Sequence, residues 1–377
     1  MNMDRKIKIC IVSYENVTSP KTWSGTMLTL YTLLGKRNDV ELCPSIVYNY
    51  QKHPFYKYFY KYIRQYIYTW NSNQDLFLRP IIKKILRKKV KNYPCSNVDF
   101  FLFPAMANPL VSELPFKGKT CVYTDCLMSD LDANRIYKPF KILGGAYYKH
   151  CIKKDILQTD ILFTQNNWSA KRFCEYCKIP SSKVHNIRFG INLKFYEGEK
   201  DYTNKKLLIV LRKGTEHVKG LDVLLQAFKL VHNQMPEATL HVVGTDMGTN
   251  KLGVKCYYNQ PRETTVKLFK EASLYVMPAL REPNGITYLE ALANKTPIIG
   301  FNRYSFPEFT GNGKWGFICK EETIKGLAET IIYALREPDR LNEMGINGQK
   351  FVLENYTWEQ TIDKMVSIMK NKVSVQF

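Results

Sequence analysis

The sequence predicts an α/β fold built from two doubly wound domains, each with a parallel sheet. Short hydrophobic strands alternate with amphipathic helices along the chain. Strands separated by helices form parallel sheets through crossover connections. Strands such as Phe100-Phe-Leu-Phe103 are apolar throughout, which is typical of strands buried on both faces. The length of 377 residues is sufficient for two domains with separate cores.

The first half of the chain supplies the first predicted sheet and its helices. The predicted strands are Ile7–Ser13, Val40–Val47, Asp99–Phe103, Thr120–Thr124 and Ile161–Thr164. The predicted helices are Gly25–Leu34, Tyr56–Trp70, Leu76–Val90, Phe140–Lys154 and Trp168–Cys177.

The second half repeats the alternation without repeating the sequence. The predicted strands are Lys206–Leu211, Thr239–Val243, Lys255–Tyr258, Leu274–Met277, Pro297–Gly300 and Gly316–Cys319. The predicted helices are Leu221–Asn233, Thr264–Ala272, Gly285–Asn294, Glu322–Ala334, Leu341–Asn355 and Thr357–Lys372. The polar segment Phe195–Asn204 separates the halves. We therefore expect domains at 1–195 and 196–355, followed by a C-terminal helix at 356–377.

Composition places the chain among globular proteins with an anionic partner. Hydrophobic residues make up 45% and charged residues 24%, which argues against disorder. No apolar run is long enough to predict a membrane-spanning helix, and Lys8 interrupts the first strand, which argues against a signal peptide. The formal net charge of +21 predicts attraction to phosphates, anionic lipid or nucleic acid. We expect a cytoplasmic protein.

The ten cysteines are predicted to be reduced and structural. Several lie inside apolar strands, where a free thiol packs as a small hydrophobic group. Cys174-Glu-Tyr-Cys177 is the only Cys-x-x-Cys pair, and no second pair or histidines stand at zinc-ligand spacing. We expect no metal site there.

Ligands of doubly wound sheets bind outside the carboxyl ends of strands, so loops after strands are the candidate sites. After the first strand, Ser24-Gly25-Thr26 opens a helix, whose start can hold a phosphate if the backbone approaches closely at Gly25. The alternative is an ordinary turn.

A second candidate loop carries two cations. Arg212 follows a strand of the second half, and Lys219 stands just before a helix. Such a pair would neutralise a diphosphate. The arginine guanidinium would donate two parallel hydrogen bonds, and the lysine ammonium would act as a point charge. The alternative is a solvated basic loop.

The third candidate is a pair of glutamates eight positions apart, in the stretch Glu282-Pro-Asn-Gly-Ile-Thr-Tyr-Leu-Glu290. Glu282 lies in a loop after a strand, and Glu290 lies in the following helix. Carboxylates accept hydrogen bonds from hydroxyls and helix starts attract phosphate, so the pair suits a ligand with sugar hydroxyls and a diphosphate. The alternative is two exposed glutamates, one of them stabilising the helix start.

Taken in order, these motifs resemble the nucleotide-sugar domain of the retaining GT-B glycosyltransferases of family 4. The resemblance is specific in the second half, loose between residues 50 and 160, and covers nearly the whole chain. The motifs are Arg212, Lys219-Gly220 with a helix ending Gln-Ala-Phe228, Leu240-His-Val-Val-Gly244, Met277-Pro278 with the glutamate pair, Tyr356-Thr-Trp358, Ile187-Arg-Phe-Gly-Ile-Asn192 and Trp23-Ser-Gly-Thr26.

The resemblance implies a role for each residue. Glu282 would bind hydroxyls of the donor sugar, and Glu290 the ribose hydroxyls. Arg212 and Lys219 would hold the diphosphate and stabilise its charge as the glycosidic bond breaks. Gly25 would approach the same phosphate from the first domain. The remaining expected donor contacts come from Asn284, Gly285, Ile286 and Thr287. The family retains anomeric configuration without a metal, so we do not expect Glu282 to be a covalent nucleophile.

Two departures from the family pattern concern the catalytic loops. Many members have a histidine after the fourth strand, where this chain reads Tyr123-Thr-Asp125-Cys-Leu. We expect Asp125 in that position, binding a sugar hydroxyl or accepting the acceptor's proton. Arg212 and Lys219 are seven residues apart, a longer loop than is common in the family.

The motif Asp130-Leu-Asp132 has the spacing that metal-dependent glycosyltransferases of another fold use to hold a divalent ion. It lies beyond the end of its strand, and the second-half motifs belong to the metal-free fold. We therefore expect neither a metal nor a cofactor.

A basic aromatic segment between Gln51 and Lys91 contains eleven Lys or Arg residues and one acid, Asp75. Cations beside aromatic and aliphatic side chains suit an anionic membrane surface. The alternatives are a solvated helical face over core residues, or nucleic-acid binding, for which no module motif is present. The residues expected to bind membrane are Lys57, Lys61, Arg64, Lys83, Lys84, Arg87 and Lys88.

Together these observations predict a metal-independent, retaining glycosyltransferase peripheral on the inner face of the membrane. It would move a sugar from a nucleotide diphosphate sugar to a lipid-linked glycan acceptor in cell-surface polysaccharide or glycoconjugate synthesis. A UDP-sugar is slightly favoured as co-substrate, and nucleic acid is not an expected partner. The alternative is an inactive GT-B scaffold or glycan-binding adaptor. The base, sugar, acceptor and oligomeric state do not follow from the sequence.

Overall fold

Two six-stranded parallel sheets, one in each half of the chain, form the framework of the molecule. The computed structural model describes residues 5–20, 22–49, 52–58, 62, 79–104, 111, 117–126, 150–247 and 252–374. The chain divides into a first unit, Met1–Gly190 with Trp358–Phe377, and a second unit, Ile191–Thr357. The boundaries expected at 195 and 355 lie a few residues from these divisions.

The first sheet has the strand order β2-β1-β3-β4-β5-β6, with every neighbouring pair parallel. The order reverses between β1 and β3, so the loop after β1 begins at a topological switch point. The five predicted strands are confirmed; the polar segment Val184–Asn186 was not predicted as a strand. The strands are β1 Ile7–Ser13, β2 Val40–Val47, β3 Phe100–Pro104, β4 Lys119–Thr124, β5 Ile161–Thr164 and β6 Val184–Asn186.

Helices flank the first sheet, and the C-terminal helix belongs to the same unit. It packs on the helix after β1, where Lys370 forms an ion pair with Asp39 at 2.8 Å. Parts of three predicted helices lie outside the described residues, namely 59–61 with 63–70, 76–78 and 140–149. The described helices are Thr26–Gly35, Pro54–Tyr58, Arg79–Lys91, Asn167–Cys177, Trp358–Ser374 and residues 150–158.

The second sheet has the order β12-β11-β10-β7-β8-β9 and is also parallel throughout. Its order reverses between β7 and β10, whose following loops carry the candidate cations and glutamates. All six predicted strands are confirmed with small shifts at their ends. The strands are β7 Lys206–Val210, β8 Thr239–Val243, β9 Val254–Tyr257, β10 Leu274–Val276, β11 Ile298–Phe301 and β12 Gly316–Cys319.

The helices of the second unit are also confirmed, with one addition. The short helix Phe306–Phe309 was not predicted, because four residues are too few to show helical periodicity. The helices are Leu221–Gln234, Arg262–Glu271, Ile286–Ala293, Phe306–Phe309, Ile324–Leu335 and Pro338–Asn355.

The helix Arg79–Lys91 shows how the basic aromatic segment is built where it is described. Ile82 and Leu86 are buried in the core of the first unit. Lys84, Arg87 and Lys88 are exposed. The apolar stripe of this helix is therefore core, and its cationic face is open to solvent. Lys61 and Arg64 lie outside the described residues. None of the helices in the described part of the chain is long and apolar enough to cross a membrane.

A buried ion pair anchors the start of this helix. Arg79 donates to Asp155 at 2.8 Å, and both side chains are almost fully buried. Arg79→Ala would leave the Asp155 carboxylate without this partner, so we expect it to lower the free energy of unfolding by about 3–5 kcal/mol. Replacing both residues with leucine removes both charges and should cost less. Urea denaturation of the two variants tests this, and equal losses would contradict it.

Candidate active site

Two loops of the second unit meet at the switch point of its sheet. Because β7 and β10 are adjacent and parallel, the loops that follow them leave the same edge. The backbone N–H groups of Leu280 and Arg281 both donate to the carbonyl of Val218, at 2.9 and 3.2 Å. These bonds join the predicted cation loop to the predicted glutamate loop.

Gly220 allows this close approach. Its φ of 77° lies in the left-handed region, and it caps the helix Leu221–Gln234. A Cβ at this position would lie 2.1 Å from the carbonyl oxygen of Pro278. Only glycine avoids both the backbone strain and the overlap. The Lys-Gly pair of the sequence motif therefore sets the position of Lys219 beside the β10 loop.

Lys219 and Glu282 form an ion pair between these loops. The other carboxylate oxygen of Glu282 accepts the backbone N–H of Gly285 at 2.8 Å. Both side chains are largely buried, with 22% of Lys219 and 14% of Glu282 exposed. The hydrogen bond from Gly285 fixes the orientation of this largely buried carboxylate. The structure thus brings together two of the predicted catalytic residues.

Arg212 lies in the same loop, two residues beyond β7, and is exposed. Its backbone carbonyl accepts the hydroxyl of Thr215 at 2.7 Å, which closes a tight turn. Burial, together with the positive charge of Arg212, lowers the pKa of Lys219 to about 7.

This lowered pKa predicts a pH dependence. As pH rises above 7, Lys219 should lose its proton and its attraction for a diphosphate. We expect kcat/KM for the donor, which reports ionisation of the free enzyme, to fall in this range. We expect kcat to change less, because a bound phosphate stabilises the protonated form of Lys219. Lys219→Arg should abolish the fall, since arginine stays charged. Steady-state kinetics between pH 6 and 9 test this; an unchanged profile in Lys219→Arg would exclude Lys219 as its cause.

Gly285 caps the helix that follows Glu282. Its φ of 47° turns the chain into the helix Ile286–Ala293, leaving backbone N–H groups at the helix start. Two tyrosines brace this turn: Tyr288 donates to the carbonyl of Met277 at 2.7 Å, and Tyr275 to the hydroxyl of Thr287 at 2.8 Å. Asn284 is buried. The sequence did not predict these two hydrogen bonds, because the pattern around Tyr275 and Tyr288 indicates core residues.

Glu290 lies one turn further into the same helix. Arg262 contacts its carboxylate at 3.3 Å and donates to the carbonyl of Asn192 at 2.7 Å. Burial raises the pKa of Glu290, and Arg262 acts in the opposite sense. Sequence reasoning missed Arg262. Arg212 was identified as a cation a few residues after a strand. Arg262 shows the same signal, because it begins the helix that follows β9.

A comparison with known families shows what this half of the chain resembles. Residues 195–351 match the family described as "Glycosyl transferases group 1". Residues 195–351 are therefore similar to a group 1 glycosyltransferase domain and are called the group 1 domain below. It is similar to the capsular polysaccharide biosynthesis glycosyltransferase CapM of Staphylococcus aureus, with 27% identity over 156 residues. That alignment covers 38% of this chain and 41% of CapM, so the chain spans less than half of that relative's length.

Solved structures extend the likeness to the whole chain at the level of fold. A glycosyltransferase from Rickettsia africae superposes with a TM-score of 0.63 and 18% identity, covering 97% of this chain and 98% of the other. WaaG, a glycosyltransferase involved in lipopolysaccharide biosynthesis, gives 0.65 and 13%, covering 96% and 99%. Two parallel sheets with flanking helices, matched by these neighbours, establish the predicted GT-B fold.

The group 1 domain contains Arg212, Lys219, Glu282 and Glu290, all inside the matched residues. Gly25 and Asp125, which are also expected at the donor or catalytic site, belong to the first unit. Gly25 has a φ of 84° and caps the helix Thr26–Gly35. The ring of Trp23, in the same loop, lies edge-on to Tyr123 at 5.4 Å between centroids. The Gly25 loop therefore lies near the β4 strand that leads to Asp125.

Asp125 follows β4 directly and is half-buried. Its carboxylate accepts the backbone N–H of Cys126 at 2.9 Å, and its carbonyl accepts the hydroxyl of Ser169 at 2.6 Å. Burial raises the pKa of the Asp125 carboxyl despite these hydrogen bonds. A carboxyl with a raised pKa has the proton affinity that a general base needs.

The described residues contain no candidate metal centre. No group of three or more His, Cys, Asp or Glu side chains in that part of the chain is arranged to hold an ion. Asp130 and Asp132 lie outside it. The two glutamates of the candidate site are paired with cations, Glu282 with Lys219 and Glu290 with Arg262.

Proposed function

We propose that the protein is a retaining glycosyltransferase that moves a sugar from a nucleotide diphosphate sugar to a glycan acceptor. The observation that carries this proposal is the Lys219–Glu282 pair beside the start of the helix Ile286–Ala293, inside the group 1 domain. A cation, a carboxylate and free backbone N–H groups together match the phosphate and hydroxyl groups of such a donor.

In this proposal the donor lies along the helix Ile286–Ala293. Glu282 would accept hydroxyls of the transferred sugar, near the backbone of Asn284 to Thr287, and Glu290 would accept the ribose hydroxyls. Lys219 and Arg212 would bind the diphosphate between them and stabilise its growing charge as the glycosidic bond breaks. Asp125 would take the acceptor's proton. No metal is proposed.

Donor binding would exchange two existing ion pairs for contacts with the ligand. Lys219 would turn from Glu282 to a phosphate, which frees the carboxylate for sugar hydroxyls. Arg262 would likewise release Glu290 to the ribose. Because each buried charge keeps a partner throughout, the exchange avoids the cost of an unpaired buried charge.

The acceptor is proposed to be lipid-linked and reached from a membrane surface. The helix Arg79–Lys91 exposes several cations and contains no acidic residue. In the same basic aromatic segment, Lys57 lies in a short helix whose aromatic side chains Phe55 and Tyr58 are 44% and 56% exposed. Exposed aromatics beside cations suit the interface of an anionic bilayer. A role in cell-surface polysaccharide synthesis, as in the name of CapM, agrees with such an acceptor.

Reversing charges on this surface should weaken membrane binding. Each cation near an anionic surface contributes about 1 kcal/mol, and substitution by glutamate adds repulsion. The triple variant Lys84→Glu, Arg87→Glu, Lys88→Glu should therefore bind vesicles of phosphatidylglycerol and phosphatidylcholine at least about 100-fold more weakly. The control Lys267→Glu, Lys325→Glu, Lys350→Glu makes the same charge change in the second unit. Vesicle co-sedimentation at fixed salt measures both, and equal losses would contradict docking through the helix Arg79–Lys91.

The transferase proposal is tested by donor turnover. Thermal stabilisation by UDP, GDP, dTDP and ADP identifies the nucleotide, because a ligand that binds only the folded state raises its stability. Release of that nucleoside diphosphate from its sugar conjugates, with lipid-linked glycan present, then measures transfer. Binding without release for every donor and acceptor would favour the inactive scaffold.

A further inference from the structure

Two cysteine thiols from distant parts of the chain touch in the first unit. Cys43 lies in β2, and Cys95 lies between the helix Arg79–Lys91 and β3. Their sulfur atoms are 3.0 Å apart, although the residues are 52 positions apart in sequence. Cys43 is buried and Cys95 is half-buried. The two thiols are therefore in direct contact in the folded first unit.

The surrounding hydrogen bonds fix this contact. The hydroxyl of Tyr93 donates to the carbonyl of Pro44 at 2.5 Å, which ties the chain before Cys95 to the chain after Cys43. Cys10, the register partner of Cys43 on β1, directs its thiol to the same carbonyl at 3.5 Å. Cys10 is therefore engaged elsewhere, and Cys43 and Cys95 are left facing each other.

We propose that Cys43 and Cys95 are a modification site, forming a reversible disulfide when the protein meets a peroxide. The peroxide oxygen would transfer to the Cys95 sulfur, giving a sulfenic acid. The Cys43 sulfur would then attack that sulfur and expel hydroxide, which takes the Cys43 proton. In total, two thiols and one hydrogen peroxide give one disulfide and two water molecules.

The order of these steps follows from access. A cavity of about 510 Å³ is lined by Pro44, Tyr93 and Pro94, the immediate neighbours of the two cysteines. Cys95 itself is half-buried whereas Cys43 is buried, so a small oxidant reaches Cys95 first. Burial raises the pKa of Cys43 to about 12, so its sulfur reacts with a peroxide less readily than a more accessible thiol does. Cys95 is thus the residue that meets the oxidant, and Cys43 is the one that resolves it.

The disulfide would act on the basic aromatic segment. Residues 43 and 95 flank the whole stretch from Gln51 to Lys91, so the bond would close that stretch into a loop. Closing a long loop restricts the unfolded and locally opened states of the chain. We expect the oxidised protein to resist local opening of the helix Arg79–Lys91. This inference is independent of the transferase proposal.

Oxidation of the full-length protein tests the site. After treatment with hydrogen peroxide and alkylation of the remaining thiols, peptide mass spectrometry should show residues 43 and 95 cross-linked, with a loss of two hydrogen atoms that dithiothreitol reverses. Cys43→Ser and Cys95→Ser should each lack this product. Cys256→Ser, which alters a half-buried cysteine of the second unit, should retain it.

Stability supplies an independent measurement. Oxidised wild-type protein should melt at a higher temperature than reduced protein and resist proteolysis within residues 79–91, and Cys95→Ser should show neither gain. The proposal would be overturned if Cys95 ended as a sulfinic acid or in mixed disulfides without the 43–95 cross-link, or if Cys10 were the partner of either thiol.

Discussion

Glu282→Ala should lower donor kcat/KM by at least about 100-fold. Each hydrogen bond from a sugar hydroxyl to a carboxylate contributes about 1.5–3 kcal/mol, and the substitution removes every such bond at this position. It also removes the acceptor that holds the N–H of Gly285 and leaves Lys219 without its resting partner. Release of nucleoside diphosphate in the presence of acceptor measures the effect.

Two control variants separate the role of Glu282 from a general disturbance. Glu282→Gln keeps the size and one acceptor oxygen, so it should fold normally and retain intermediate activity. Glu329→Ala removes an exposed glutamate of the same domain and should leave turnover unchanged. If Glu282→Ala turned over donor within twofold of wild type, Glu282 would not bind the transferred sugar.

Lys219→Met should lower kcat by about 10²–10³, the usual cost of removing one donor that stabilises charge in a transition state. The charge on the diphosphate grows as the glycosidic bond breaks, so the loss should fall on kcat more than on KM. Methionine preserves the length of the side chain and its apolar packing. Steady-state kinetics at saturating donor measure both constants.

The same loop offers a matched control for Lys219. Lys213 is an exposed cation that lies over the ring of Tyr258 at 5.7 Å. Lys213→Met makes the same chemical change six residues away and should change kcat less than twofold. A result in which Lys219→Met raised KM at constant kcat would show that Lys219 binds donor and transition state equally, which would contradict its catalytic role.

The strands were predictable because their signal is local. Strands such as β8 and β12 are short apolar runs with polar or glycine boundaries, and their ends agree with the prediction. The short helix Phe306–Phe309 and the polar strand β6 lack such a signal. The order of motifs, from Arg212 to the glutamate pair, located the candidate site because loops after adjacent parallel strands converge.

The partnerships of the site residues were not predictable. Lys219 with Glu282, Glu290 with Arg262 and Cys43 with Cys95 each join residues from separate loops or strands. Residue type and spacing show that a group can pair, whereas the partner depends on strand order and loop path. The helix Arg79–Lys91 shows what a sequence pattern leaves open. Its alternation of cations and apolar residues was compatible with an apolar face turned to a membrane or to the protein core.

The most direct test of the proposed donor geometry compares two ligands on two variants. Isothermal titration calorimetry of the preferred nucleoside diphosphate and of its sugar conjugate should be carried out on Glu290→Ala and Glu282→Ala. We expect Glu290→Ala to weaken both ligands, since both contain ribose. We expect Glu282→Ala to weaken only the sugar conjugate. Equal loss of nucleoside diphosphate affinity in both variants would contradict the assignment of Glu282 to the sugar and Glu290 to the ribose.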